Sequence, residues 1–189
     1  LKQNFPDYFL SFGPFWTRHV HLPLPAANVL TLGYPHMTQL HQRYAQVERR
    51  RQVLFLSQRT VGRQLAGFAI ELRKETAPDV EIVYKLHPEE MGDWRQRYPG
   101  LEEAGIKVIA DRGADLYALF AASTWQVGVY STALYEGIAF GCRTFILDAP
   151  GCGAMRPLVE EGTAQLVGRA SEVSLSSAGA SPADLTKDY

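Results

Sequence analysis

The sequence predicts an α/β protein built on an open, doubly wound, mainly parallel sheet. From Gln52 onward, short apolar runs alternate with segments of helical periodicity, the signature of βαβ crossovers. The runs are nearly continuous in apolar content, as strands covered on both faces should be. At 189 residues, the chain can build one such domain with a sizeable core.

The first fifty residues are less regular. Asp7 to Phe12 and Asn28 to Leu32 read as strands, joined by the Pro-rich stretch Leu22 to Pro25. Gly33-Tyr34-Pro35 makes a turn, and Thr38 to Arg50 is predicted as a helix. The run Arg49-Arg50-Arg51 then marks a helix end, where cations are favoured. Gln52 to Ser57 is the first strand of the regular part. Val61 to Glu75 carries Leu65, Phe68, Ala69 and Leu72 at helical spacing. Strands follow at Glu81 to Leu86, Ile106 to Ala110, Gln126 to Tyr130, Arg143 to Asp148 and Ala164 to Val167. Helices are expected at Glu89 to Tyr98 (stopped by Pro99-Gly100), Ala114 to Ala122, Thr132 to Phe140 and Met155 to Glu161. Residues 1–35 thus form a lead-in segment and inter-domain turn, and residues 36–168 the α/β domain. Residues 169–189, rich in Ser, Ala and Gly, are expected to be a loosely ordered tail. Leu1 to Phe5 do not read as a natural start, and no charged-then-apolar signal opens the chain. The chain therefore reads as a piece of something longer.

Composition narrows the function classes. The formal net charge is −1, so no global field recruits nucleic acid or anionic lipid. The Arg49–Arg51 run leaves a peripheral membrane contact open. Cys142 and Cys152 are too few for a disulfide framework and have no metal-ligand company, so they read as small core residues. No stretch reaches the length of a spanning helix, and a cytoplasmic location is expected. Neither a GxGxxG fingerprint nor a GxxxxGK[ST] loop occurs.

In an open α/β sheet, ligands bind beyond the carboxyl ends of the strands. Ser57 and Gln58 follow the first strand there and lead toward a helix N-terminus, an anion-favouring place, although by themselves an ordinary structural turn is the better reading of them. Lys85-Leu86-His87-Pro88 follows the second. Pro88 biases His87 toward extended backbone, holding an imidazole at the rim where it could donate to a phosphate oxygen. The same histidine could serve only as a helix cap. Lys85 is placed nearby as a point charge. After the Gln126 strand, Ser131 and Thr132 are predicted to start a helix, and Glu136 lies one turn beyond Thr132. An anion at the helix start would leave Glu136 deeper, to accept from sugar hydroxyls. Arg112, after the Ile106 strand, could approach a nucleobase.

The Lys85-Leu86-His87-Pro88 segment resembles the HP motif of bacterial surface-polysaccharide transferases. Ser131-Thr132-Ala133-Leu134-Tyr135-Glu136-Gly137 resembles their serine-rich helix start with its acidic follower, though those enzymes often have consecutive serines. Capsule polysaccharide enzymes, bacterial sialyl- and polysialyltransferases and teichoic-acid glycerophosphotransferases carry such sequences. The resemblance implies the Rossmann-like C-terminal, donor-binding half of a two-domain GT-B glycosyltransferase. It implies His87 as the catalytic residue at the donor phosphate, Ser131 and Thr132 as phosphate holders, and Glu136 at the nucleotide sugar. It further implies metal-independent transfer with no cofactor, a CMP-, CDP- or UDP-linked donor, and a saccharide or lipid-linked acceptor. That acceptor, with the catalytic base, belongs to an N-terminal domain missing from this chain. His87 and the Ser131–Glu136 turn must then meet in one anion pocket. The rival readings are a sugar-nucleotide 2-epimerase of the same plan and a non-catalytic flavodoxin-like module, which would respond to magnesium with a phosphate mimic rather than to a nucleotide.

Overall fold

The computed structural model describes residues 4–176. In chain order the elements are β1 (Phe9–Ser11), α1 (Pro14–His19), β2 (Val29–Thr31), α2 (Pro35–Arg43), β3 (Arg50–Leu56), α3 (Gly62–Glu75) and β4 (Glu81–Lys85). They continue with α4 (Trp94–Arg97), α5 (Gly100–Glu103), β5 (Lys107–Ile109), α6 (Leu116–Ala122), β6 (Ser123–Gly128), α7 (Ala133–Ala139), β7 (Arg143–Leu147), α8 (Arg156–Glu160) and β8 (Ala164–Val167). The main sheet has six strands in the order β5-β4-β3-β6-β7-β8, all parallel. This is the Rossmann order, three strands wound one way from β3 and three the other.

Alternate residues of β3 explain the two layers. Val53 and Phe55 point to the face covered by Leu65, Phe68, Ala69 and Leu72 of α3, with Trp94, Tyr98 and Leu101 beyond. Leu54 and Leu56 point to the opposite face, under Phe120 of α6, Leu134 and Ile138 of α7 and Leu158 of α8. All four β3 residues are at most 4% exposed, which is why the strand reads as an unbroken apolar run.

Four expectations need correction. The helix expected over Thr38 to Arg50 is α2, which begins at Pro35 and ends at Arg43. Proline is preset for the first helical turn. Arg50 and Arg51 open β3 instead. Arg49 does serve a helix C-terminus, but that of α7, donating to the Phe140 and Gly141 carbonyls. The helix expected over Glu89 to Tyr98 is broken into a 3-10 turn, Pro88–Glu90, and the short α4. Pro99 does not end it so much as lead into α5. The strand expected at Gln126 to Tyr130 starts at Ser123 and ends at Gly128. Gln126 sits mid-strand and fully buried because its amide donates to the Leu134 carbonyl and Thr144 Oγ1. Finally, the start of the supposed tail is packed. Ala170–Glu172 form a 3-10 turn, the Glu172 carboxylate accepts from the Gly168 and Arg169 amides, and Val173 and Leu175 pack on the core. Residues 177–189 of that tail lie outside the described residues.

The lead-in segment forms its own two-stranded parallel pair, β1 with β2. It is fastened to the domain by α1, whose Arg18 and His19 both reach Glu161, at 3.0 and 2.7 Å. The His19 hydrogen bond, with burial opposing and Arg18 assisting, holds the Glu161 carboxyl below its ordinary value. A carboxyl depressed on folding contributes stability above its unfolded pKa, and this is lost as pH falls through the folded value. Acidification below the ordinary glutamate range is therefore expected to loosen α1, and limited proteolysis at Arg18 would read it. Glu161→Gln should remove the pH dependence of that cleavage. Among the described residues, no helix is long and apolar enough to cross a membrane.

Candidate functional site

The carboxyl ends of β3, β4 and β6 lie side by side, because Leu56 pairs with Lys85 and Phe55 with Val127. The winding direction reverses between β3 and β6, so the loops after these strands flank the topological switch point, where such sheets open a crevice. The loop after β3 crosses it. Gln58 Oε1 accepts the Tyr130 backbone N–H at 3.2 Å, and Thr60 Oγ1 hydrogen-bonds the Tyr130 hydroxyl. On its other side Arg59 Nη1 donates to the Glu89 carbonyl at 2.7 Å. His87 and Ser131 therefore follow strands on either side of β3, β4 and β6, whose ends lie two strand spacings, about 10 Å, apart.

His87 is exposed, with extended backbone (φ −66°, ψ 145°), and Pro88 begins the turn that follows. Its Nδ1 accepts the Glu89 N–H at 3.3 Å. A ring nitrogen that accepts carries no proton in the neutral ring, so Nε2 holds the hydrogen and is the donor. Lys85 Nζ donates to the Leu86 carbonyl at 3.3 Å and the Asp111 carbonyl at 3.2 Å. Burial lowers the pKa of this ammonium, with Asp111 opposing. One of its three N–H groups stays unassigned after those two bonds. Arg112 is exposed next to Asp111, beyond the edge strand β5.

In overall fold the chain is similar to solved glycosyltransferase structures. The chain superposes on a glycotransferase of kitacinnamycin with a TM-score of 0.54 at 15% identity, covering 97% of this chain and 47% of that one. For Anabaena HepE in complex with UDP and glucose the TM-score is 0.52 at 16% identity, over 89% and 52%. The chain has the fold of a GT-B half-domain. It spans about half the length of each of those two proteins. The C-terminal CMP-Kdo binding domain of WaaA from Acinetobacter baumannii is also similar, with a TM-score of 0.48 at 14% identity over 73% and 83%. No protein-family model and no curated protein sequence matches the chain.

Within this fold the expected site residues have different surroundings. Ser57 is a correction: it is 6% exposed, and its hydroxyl lies 3.0 Å from both Glu90 Oε1 and the Tyr84 hydroxyl. It is spent inside the fold rather than offered to a ligand. Thr132 occupies the N-cap position of α7 but makes no side-chain cap bond. Ser131 Oγ accepts the Ala133 N–H at 3.3 Å instead. His87 is not among the residues lining the cavity in which Glu136 stands. With Thr132, Glu136 lines this cavity, of about 200 Å³, walled by Phe12, Trp16, Tyr34 and Met37, which come from the lead-in segment and α2. Burial raises the Glu136 carboxyl above its ordinary value, and the Tyr117 hydroxyl and His36 pull it back. The Tyr117 bond is long, 3.4 Å, which leaves most of the carboxylate's accepting capacity for a guest.

The rim and the aromatic cavity are thus adjoining places of different chemistry. One offers an imidazole N–H and an ammonium, which suit phosphate oxygens. The other offers ring faces and a carboxylate, which suit a ring bearing C–H faces and hydroxyls. Sequence reasoning missed Glu90, Tyr98 and the aromatic wall. The first had a legible signal, since a glutamate three residues after a cap is a capping-box spacing. The wall had none, because its members are far from Glu136 in sequence.

Proposed function

We propose that this chain is the nucleotide-sugar-binding half of a glycosyltransferase of surface or capsular polysaccharide synthesis. In this reading His87 Nε2–H and Lys85 meet the donor phosphate, and the Ser131–Thr132 turn closes the opposite side of the crevice. Glu136 accepts hydroxyls of a sugar ring held against the aromatic cavity. The observation that carries it is the bond from the Glu89 backbone N–H to His87 Nδ1, which in the neutral ring leaves the proton on Nε2, on a loop that flanks the sheet's switch point. As a leaving nucleotide gains charge, a preset donor there strengthens its hold without reorganisation. Transfer then needs no resident metal, and the donor is a CMP-, CDP- or UDP-linked sugar.

The exposed side of β1 and β2 supports a second domain as partner. Leu10 and Leu30 on this two-stranded pair, and Tyr8 and Leu32 flanking it, are all at least 47% exposed, whereas parallel strands are ordinarily covered on both faces. A further half-domain supplying the acceptor, saccharide or lipid-linked, would cover it. The cell compartment consistent with such donors is the cytoplasm, with Arg50 available for peripheral contact at a membrane.

Thermal denaturation with CMP, CDP and UDP, each with and without EDTA, tests the reading. At least one nucleotide is expected to raise the Tm in a concentration-dependent way, with no change on adding EDTA. Indifference to all three would sink it, and stabilisation only by magnesium with a phosphate mimic would favour the flavodoxin-like module. His87→Ala is expected to weaken the preferred nucleotide about tenfold or more, the worth of a hydrogen bond to a charged group.

A further inference from the structure

Beneath the His87 turn lies a carboxylate for which the phosphate-binding reading has no use. Glu90 is 0% exposed. Arg97, whose charge is felt by Glu90, makes its ion pair with Asp93. The hydrogen bonds that hold Glu90 come from neutral donors. Oε2 accepts the His87 backbone N–H at 2.8 Å. Oε1 accepts from Ser57 Oγ at 3.0 Å and from the Tyr98 hydroxyl. The Tyr84 hydroxyl backs Ser57 at 3.0 Å and donates to the Gly62 carbonyl at 3.1 Å. The Tyr98 hydroxyl is pushed up to about 12, by burial first and then by Glu90, so it stays protonated and donating at neutral pH.

Burying a carboxylate costs several kcal/mol unless its oxygens are satisfied, and an apolar side chain would fill the same space more cheaply. What the carboxylate alone supplies is a rigid acceptor that ties the His87 backbone to the floor of β3 and α4. With that backbone held, the Glu89 N–H stays aimed at Nδ1, and Nε2–H stays aimed outward. We propose that Glu90, gripped by Ser57 and Tyr98, is the positioning residue for His87. The inference rests on the reading of His87 as a phosphate donor, and it identifies what keeps that donor in place. Glu90 itself touches no ligand.

A double-mutant cycle separates positioning from mere structural support, with CDP as the probe and affinities from calorimetry. The four proteins are the parent, H87A, E90Q and H87A/E90Q. E90Q should weaken CDP about three- to tenfold where His87 is present, and less than about twofold in the H87A background. Equal losses in both backgrounds would overturn the proposal, because a distorted site would suffer with or without the imidazole. If H87A leaves CDP affinity unchanged, the phosphate reading falls on its own. Amide exchange in the ligand-free protein then decides the clamp: faster exchange at His87 and Glu89 in E90Q supports it, and unchanged protection ends it. Tyr98→Phe removes one donor and keeps the carboxylate. It should give a smaller loss in the same pattern, and it carries the cycle with the same deciding outcome if E90Q does not fold.

Discussion

Gly137→Ala is expected to destabilise the protein by about 2 kcal/mol, although alanine is the better helix former by about 1 kcal/mol. Gly137 lies inside α7, where local propensity argues for a side chain. A Cβ there would sit 2.0 Å from Gln126 Oε1 and 2.7 Å from its Nε2. Gln126 cannot swing aside cheaply. It is fully buried, and its Nε2 donates to the Leu134 carbonyl at 2.8 Å and to Thr144 Oγ1 at 2.7 Å. Moving it means overpacking a filled core, about 1–3 kcal/mol, and losing hydrogen bonds worth about 1 kcal/mol each. These terms together exceed the propensity gain. Urea denaturation of the single mutant, and of the pair with Gln126→Ala, checks the account. In the Gln126→Ala background the obstruction is gone, and Gly137→Ala should turn neutral or stabilising. Equal destabilisation in both backgrounds would refute it.

Gly62→Ala should have an effect of about 3 kcal/mol and should reach the candidate site as well. The added Cβ would lie 2.0 Å from the Tyr98 hydroxyl oxygen and 2.4 Å from Glu90 Oε1. Both atoms belong to the buried network under His87, so the methyl group must break hydrogen bonds as well as push atoms apart. Nucleotide affinity should therefore fall with stability, further than in E90Q. Adding Tyr98→Phe removes the atom nearest the new methyl, and should return part of the lost stability. Full nucleotide affinity in Gly62→Ala would show that the network does not reach His87.

The two predictions concern residues that gave no signal along the chain. Gly62 and Gly137 read as ordinary glycines near or inside helical segments, and nothing local marks the atoms that crowd them. The HP segment was legible, because proline restricts its neighbour and begins a turn. Its partner Glu90 was legible only as a capping-box glutamate three residues after His87; its full burial was not, because a glutamate in a polar run looks solvated until the chain folds over it. Ser57 shows the reverse error: a polar residue at the end of an apolar strand looked available, yet its hydroxyl is consumed by Glu90 and Tyr84. Gln126 reads as the first residue of a strand, but the strand begins at Ser123. A carbonyl from α7 and a hydroxyl from β7 let it sit in the middle.

By itself the sequence determined the layered α/β architecture and the rim on which His87 and Ser131 stand. Both follow from periodicity, which is a local property: apolar runs covered on two faces make a parallel sheet, and the residues after each run come out at its carboxyl edge. Only the tertiary structure decided which polar groups remain free there. That depends on partners distant along the chain, such as Tyr98 and His87 around Glu90, or Phe12 and Trp16 around Glu136. A hydrogen bond consumes a donor whatever its position in the sequence, so availability for a ligand is settled by what folding brings alongside.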